Sequence, residues 1–409
     1  MSKIIVIGAG AAGLMAAGFA SLNGNQVTLL ERNDRPARKV MITGKGRCNV
    51  THYTTLINEL IANVPVNGRF LYSAFSRFSP SDTMDFFEEQ GVPLVVERGD
   101  RVFPESQKAV DIVDALTNFA KRSGAKIIKG RAVHFKMKDG LIQAVITDDG
   151  REIQGDNFII ATGGKSYPAT GSTGDGYTLA QDVGHTIIPP VPSLVPLNIC
   201  EDFCAELTGL SLKNIAITVR DSDSWKVIYE DFGEMLFTHF GVSGPVILSA
   251  SSHMRSANPG QYLIELDMKP ALTHEQLDAR VLRDLGKFPN KTLNNALVEL
   301  LPHAMIPVVI DLAGLNPNLK ANQLTRDMRS QLVDTLKCIT LTVEGFRPIE
   351  EAIITSGGVS TKEIDPKTMQ SKICQNLYFA GEVVDVDAYT GGFNLQIAFS
   401  TGVLAGKSV

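Results

Sequence analysis

The stretch Ser2–Glu31, SKIIVIGAGAAGLMAAGFASLNGNQVTLLE, constrains the fold more than any other part of the chain. Lys3 is followed by the apolar run Ile4–Ile7, which suits a parallel strand covered on both faces. Gly8, Gly10 and Gly13 then complete G-x-G-x-x-G. The first glycine permits a tight turn, the second lets a pyrophosphate approach the backbone, and the third lets helix and sheet pack closely. The helix that follows aims its N-terminal N–H groups, carrying about half a positive charge, at that pyrophosphate. Val27–Leu30 form a second strand, and Glu31 ends it where a carboxylate would take the hydroxyls of a ribose. Strand, glycines, helix, strand and acid together predict a dinucleotide site. A secretion signal fits poorly, because glycines interrupt the apolar run and an acid, not a small-residue cleavage site, closes it.

The next segment, RNDRPARKVMITGKGRCNVTH, is basic and glycine-rich: Arg32, Arg35, Arg38, Lys39, Lys45 and Arg47 surround Gly44 and Gly46. Following the ribose-binding acid directly, it reads as a second wall of the same site, where N–H groups and cations meet phosphate or a flavin edge. It is not a Walker A loop, and neither is Gly164-Lys165-Ser166, because position 159 is Ile.

Farther along, residues 56–91 read as helical, with Met84, Phe86 and Phe87 as core. Val92–Phe103 can form a hairpin turning at Gly99-Asp100, and residues 106–123 an amphipathic helix stopped by Gly124. Strands at 125–128, 134–138, 141–147 and 152–154 follow, the last three joined by D-G turns as a meander. Asn157–Gly164 is another buried strand, ending in Thr-Gly-Gly beneath the expected cofactor. The run Gly171–Gly176 leads into a helix from Tyr177 and could border a substrate cavity or serve as a plain connector.

Prolines 189, 190, 192 and 196 mark a boundary. Beyond them Ile215, Ile217 and Val219, then Tyr262, Ile264, Leu266 and Met268, alternate with period two, which predicts an antiparallel sheet or small barrel. His239 lies there beside Gly241 and Gly244, where it could face a ligand or make a structural hydrogen bond. From Thr273 to Lys337 the period is helical, opened by a Thr273-x-x-Gln276 capping box and carrying the stripe Leu324, Met328, Leu332, Leu336. Strands return over 341–355. In the closing segment, Leu377–Ala380 is a strand, Asp385 and Asp387 lie beyond it, and Gly391-Gly392 opens a helix over 394–402.

Both chain ends thus carry strands of one type, which predicts an α/β fold with a split Rossmann-like domain at 1–190 and 350–409. An inserted antiparallel β-barrel domain at 191–270 and 338–349 and a small helical subdomain at 271–337 complete the expectation. A net charge of −5 and a pI of about 5.9 argue against a nucleic-acid partner, and no apolar run is long enough to span a membrane. Five cysteines without C-x-x-C suit a reducing cytoplasm and disfavour a disulfide reductase. Cys200 and Cys204 have no companion ligand pair, so no metal site is expected.

The motifs GAGAAG (8–13), TGKGRCNVT (43–51), ATGGKSYPATGSTGDG (161–176), LFTHFGVSGP (236–245) and AGEVVDVDAYTGGFNLQIAFSTG (380–402) resemble those of the HI0933-like flavoproteins across nearly the whole chain. These are NAD(P)/FAD-dependent oxidoreductases that include bile-acid-related dehydro-steroid reductases. The resemblance implies FAD. It puts Gly8, Gly10, Ala12 and Gly13 at the pyrophosphate and Glu31 at the adenosine ribose. Arg32, Lys39, Thr43, Gly44, Arg47 and Cys48 line the loop, and Val133 meets adenine through its backbone. Ala161, Thr162 and Gly163 lie alongside, while Gly381, Glu382, Asp385, Gly392, Asn394 and Leu395 hold the ribityl and isoalloxazine end. His52 stands where the pattern has Asn, and a His there raises covalent attachment of the flavin as one alternative.

The expected activity is transient reduction of FAD by NAD(P)H, followed by hydride transfer to a small hydrophobic enone or steroid-like acceptor. His239 or Tyr389 would give the proton. The alternative is a non-catalytic FAD redox sensor or electron carrier. A flavin enzyme acting on tRNA is disfavoured by the acidic pI and the lack of a basic run.

Overall fold

The computed structural model describes residues 1–409 except Arg255 and Ala257. The chain divides into two compact units, Met1–Ser193 with Pro348–Val409, and Leu194–Arg347.

In the first unit a parallel sheet has the strand order Leu377–Phe379, Asn157–Ile160, Lys3–Ile7, Gln26–Glu31, Lys126–Lys129. Ile4–Ile7, Leu29, Leu30 and Phe158–Ile160 are buried, as uninterrupted apolar runs require in a sheet covered on both faces. From Lys3–Ile7 the chain steps outward to one side and later returns to add Asn157–Ile160 on the other. The strand order therefore reverses between Ile7 and Ile160, the crevice where open α/β sheets bind ligands.

The opening helix Ala11–Leu22 packs against the closing helix Phe393–Ser408 through small residues. A Cβ on Gly402 would fall 2.4 Å from the Ala12 carbonyl oxygen, and one on Gly406 would fall 2.4 Å from that of Ala16. The closing helix runs beyond the expected 394–402 because Gly402 and Gly406 serve this contact and do not end the helix.

The stretch 56–91 is not one helix. It breaks into Ile57–Ala62, Gly68–Leu71, Tyr72–Arg77 and Pro80–Glu89. Pro65 and Pro80 cannot continue a helix from the preceding turn, and Ser79 starts the last one with a capping box to Asp82. The helix after the 171–176 loop begins at Asp175, two residues before Tyr177. The proline-rich stretch Ile187–Ser193 is itself a strand, paired antiparallel with Ile354–Val359 and irregular between Ile188 and Val191.

In the second unit, Leu197–Ile199, Gly241–Ser243, Val227–Thr238, Ser211–Asp221, Tyr262–Asp267 and Ile339–Phe346 close a barrel in that order. The alternating residues Ile215, Ile217, Val219, Ile264 and Leu266 fill its interior. Leu332 and Leu336 of the helix Arg326–Lys337 belong to the same apolar core as the barrel. Thr273 and Gln276 form the capping box expected of them. No described helix is long and apolar enough to cross a membrane.

Candidate functional site

The glycine turn sits at the strand-order reversal. Gly8 has φ +100°, and a Cβ there would lie 2.6 Å from the Ala161 carbonyl oxygen. A Cβ on Gly13 would lie 1.8 Å from the Gly8 carbonyl oxygen, so only glycine lets the helix start this close to the strand. A Cβ on Gly10 would meet nothing within 4 Å. Protein therefore fills the space at the first and third glycines, and the second faces the room a pyrophosphate needs. Gly10 caps the opening helix without a side-chain hydrogen bond, so the N–H groups of its first turn, Ala12 and Gly13 included, have no side-chain cap.

Glu31 is buried. Its carboxylate accepts N–H bonds from Ala9 at 2.8 Å and Asn33 at 2.7 Å. A carboxylate has about four acceptor sites, so two backbone bonds orient the group and leave capacity for ribose hydroxyls. The Gly130 N–H donates to the Glu31 carbonyl at 2.9 Å, which leads the chain past this end into Ala132–Lys138. There the register shifts between Ala132 and His134, leaving Val133 without a cross-strand partner. Arg32 is turned toward Thr173 at 2.6 Å and Asp175 at 3.2 Å, and Arg131 holds the same Asp175 with two bonds of 2.8 Å.

Lys39 reaches across the fold to Glu382 at 2.7 Å and Ser166 at 2.6 Å. Glu382 also accepts from the Thr355 N–H at 2.9 Å and the Ser166 hydroxyl at 3.1 Å. The loop after Ile160 and the segment after Phe379 are thereby joined, with Thr162, Gly163 and Gly164 between them; a Cβ on Gly164 would lie 2.4 Å from the Thr355 hydroxyl. Gly381 donates its N–H to the Thr401 hydroxyl at 2.9 Å, and a Cβ on it would lie 2.8 Å from that of Ala12. Asp385 accepts from the Asn67 amide at 2.9 Å.

The second wall, Thr43–Cys48, has a contorted backbone: Gly44, Lys45, Gly46 and Cys48 all have positive φ. Non-glycine residues held in this region concentrate at ligand clamps. Arg47 is committed to Glu97 and Gln107 and lies 4.1 Å over the Phe103 ring, so its side chain braces the wall. Cys48 is fully buried, and that burial pushes its thiol up to about 12; it is an inert packing group.

The closing helix starts at Gly392 with φ +100° and no side-chain cap. Gly392 lies so close to Thr51 that a Cβ would meet that residue's carbonyl at 2.4 Å. The Asn394 amide is occupied: it accepts from the Ala388 N–H at 3.0 Å and donates to the Ala388 carbonyl at 2.7 Å. Asn394 therefore shapes the turn before the helix, and only its own backbone and that of Leu395 remain to serve a ligand.

Of the two proton-donor expectations, Tyr389 lies in this turn, where its N–H donates to Asn63 at 3.0 Å. His239 belongs to the second unit, exposed at the tip of the hairpin joining Val227–Thr238 to Gly241–Ser243.

Several further polar groups lie at this site. Asn49 Oδ1, His52 Nδ1 and the Tyr177 hydroxyl are buried with no hydrogen-bond partner. Asp387 is 1% exposed, accepts from the Ser193 hydroxyl at 2.9 Å and the Ser356 hydroxyl at 3.0 Å, and is raised by burial to about 6. Buried polar atoms are nearly always paired in folded proteins, so these orphans beside the cradle mark where another molecule's donors and acceptors belong. Open space at Gly10, two uncapped helix N-termini, an oriented buried carboxylate and unpaired buried polar atoms fit FAD.

Fold and site together define a doubly wound FAD-binding oxidoreductase. Residues 2–408 match the family described as HI0933-like protein Rossmann domain, and the chain belongs to that family. It is 32% identical over 417 residues to a 3-dehydro-bile acid delta(4,6)-reductase of Clostridium scindens, covering 100% of this chain and 99% of the relative. It is 31% identical to a ribosomal RNA dihydrouridine synthase of Haemophilus influenzae, covering 100% of this chain and 98% of the relative. Among solved structures, a 3-ketosteroid delta1-dehydrogenase from Sterolibacterium denitrificans shares the fold with a TM-score of 0.51 at 13% identity, over 99% of each chain.

Proposed function

We propose that this protein is an FAD-dependent reductase that saturates a C=C bond conjugated to a carbonyl. The observation that carries the proposal is the closing helix. Its uncapped N-terminus, seated on Thr51, is in the same unit as the glycine cradle. A helix N-terminus there favours the electron-rich end of a reduced flavin. Bound FAD would supply hydride chemistry, with NAD(P)H as its transient source.

The chain's own residues bind and orient. Gly8, Gly10 and Gly13 admit the pyrophosphate, Glu31 takes the ribose, and the Lys39–Glu382 pair holds two loops in register. Hydride delivered to the β-carbon of an unsaturated carbonyl leaves charge on the carbonyl side, and the α-carbon then needs a proton. Tyr389, in the turn before the closing helix and in the same unit as the cradle, is the proposed donor.

The relatives support this class of substrate. A 3-oxo steroid unsaturated at C4 and C6 and the uracil ring of uridine share one electronic feature, a C=C bond in conjugation with a carbonyl. We favour a small hydrophobic enone, in keeping with the net charge of −5 and the absence of a basic run. Uridine in ribosomal RNA is the second reading, supported by the two dihydrouridine synthases among the relatives. The test is anaerobic. NADH or NADPH is added to the FAD-loaded protein, and the reduced protein then receives a 4-en-3-one steroid or protein-free ribosomal RNA. Bleaching followed by recolouring with the steroid supports the first reading, and recolouring with RNA alone supports the second. Recolouring with neither acceptor favours an electron carrier or sensor.

A further inference from the structure

His52 is bound into the start of the closing helix from two sides. Its ring stacks on Phe393, with centroids 4.5 Å apart and planes at 29°, and Phe393 is the first residue of that helix. Its chain neighbour Thr51 is the backbone against which Gly392 packs, and the Thr51 hydroxyl donates to the buried Gln396 at 2.6 Å. The His52 imidazole is thus held at the start of that helix, next to the Gly391 backbone. Its Nδ1 is buried and has no partner. Such a nitrogen is costly unless something comes to meet it.

We propose that His52 takes up a proton at Nδ1 when the bound flavin is reduced, and so neutralises the charge that reduction places at the closing helix N-terminus. The proposal rests on the FAD reading above. Reduction of the flavin adds two electrons and one proton, the proton going to N5, which leaves one negative charge. A second proton, from solvent, then forms the N–H bond at Nδ1, and the imidazolium balances that charge. When the flavin is reoxidised by an acceptor, Nδ1 gives its proton back to solvent.

The surroundings suit a neutral resting imidazole that can be charged. Burial lowers its pKa, while Asp100, the Gly391 backbone and Glu59 act in the opposite sense. Arg101 is its cross-strand partner. The first turn of the closing helix carries no acidic residue, and Thr83, from the helix Pro80–Glu89, meets Gln396 with an uncharged hydroxyl. Burial outweighs the Asp100 and Glu59 carboxylates, so the ring rests neutral, and a new negative charge at the helix start would favour its protonated form.

The experiment counts protons. FAD-loaded protein is reduced anaerobically with a measured amount of dithionite at about pH 8, above the ordinary imidazole range, in weak buffer with a pH indicator. The dithionite's own proton release is subtracted. Wild type is compared with His52→Asn and His52→Phe, the latter keeping a ring against Phe393 without a nitrogen. The proposal expects two protons per electron pair in wild type and one in both variants, counted per FAD bound. One proton in wild type, or two in the Phe variant, overturns it. Failure of wild type to bind FAD would instead overturn the functional reading on which it rests.

Discussion

At the scale of single residues, two buried carboxylates do opposite things. Glu31 satisfies the Ala9 and Asn33 N–H groups and is the residue proposed to take the ribose. Glu31→Ala leaves both N–H groups unpaired. It is expected to cost about 2 kcal/mol in urea unfolding and to weaken FAD binding by roughly 10- to 100-fold in a fluorescence titration. Asp387 carries the pH dependence. Its carboxyl titrates at about 6 in the fold, above its ordinary value, because it is buried. Its stabilising contribution is therefore complete below the ordinary value and is lost as pH rises through about 6. Asp387→Asn should abolish that loss. It should be more stable than wild type by up to about 3 kcal/mol at alkaline pH and within about 1 kcal/mol of it at acid pH, read by thermal unfolding across the range. Variants that tracked wild type at every pH would refute this account. Glu31 was legible in the sequence because its spacing from the glycines is a local rule. The surroundings of Asp387 and His52 were not, since partners such as Ser193, Ser356 and Phe393 are brought near only by the folded chain; His52 stood out in the sequence by its position alone.

At the scale of elements, the contact between the opening and closing helices is the most exacting. Gly402 and Gly406 present bare backbone to Ala12 and Ala16, and a side chain at either would need a backbone shift. Gly406→Val should lower the urea midpoint by an amount corresponding to about 3 kcal/mol and release FAD, because the Gly10 and Gly392 cradles move apart with the helices. An unchanged midpoint would show that the contact relaxes freely. The same contact explains an error of reading. Glycine at the end of an apolar run signals a helix stop, and here the glycines are interior because their role is packing. The meander and the barrel strands were legible because alternation and D-G turns are local. The breaks in 56–91 were also written locally, in Pro65, Pro80 and the Ser79–Asp82 box, and the apolar spacing masked them.

At the scale of the whole molecule, the second unit enters and leaves through neighbouring strands. Leu197 pairs with Phe346, and the Arg347 N–H donates to the Pro196 carbonyl at 3.0 Å. With its ends together and a core of its own, residues 194–347 should fold when expressed alone, giving a cooperative unfolding transition that FAD does not move. In the full chain, FAD at about 100 times its dissociation constant should raise only the first unit's stability, by about 3 kcal/mol. A shift of both transitions would mean the units unfold together. The closing helix also ties together parts of the first unit that are far apart in sequence. Asn25 donates to the Val409 carbonyl at 3.2 Å, 384 positions away, while Gly402 and Gly406 rest on the backbone of Ala12 and Ala16. Neither the opening nor the closing helix can cover its apolar side without the other. Protein truncated after Gly402 should therefore purify colourless and be cut by trace protease under conditions where the full chain survives, and a yellow, resistant product would show that the last turns are dispensable.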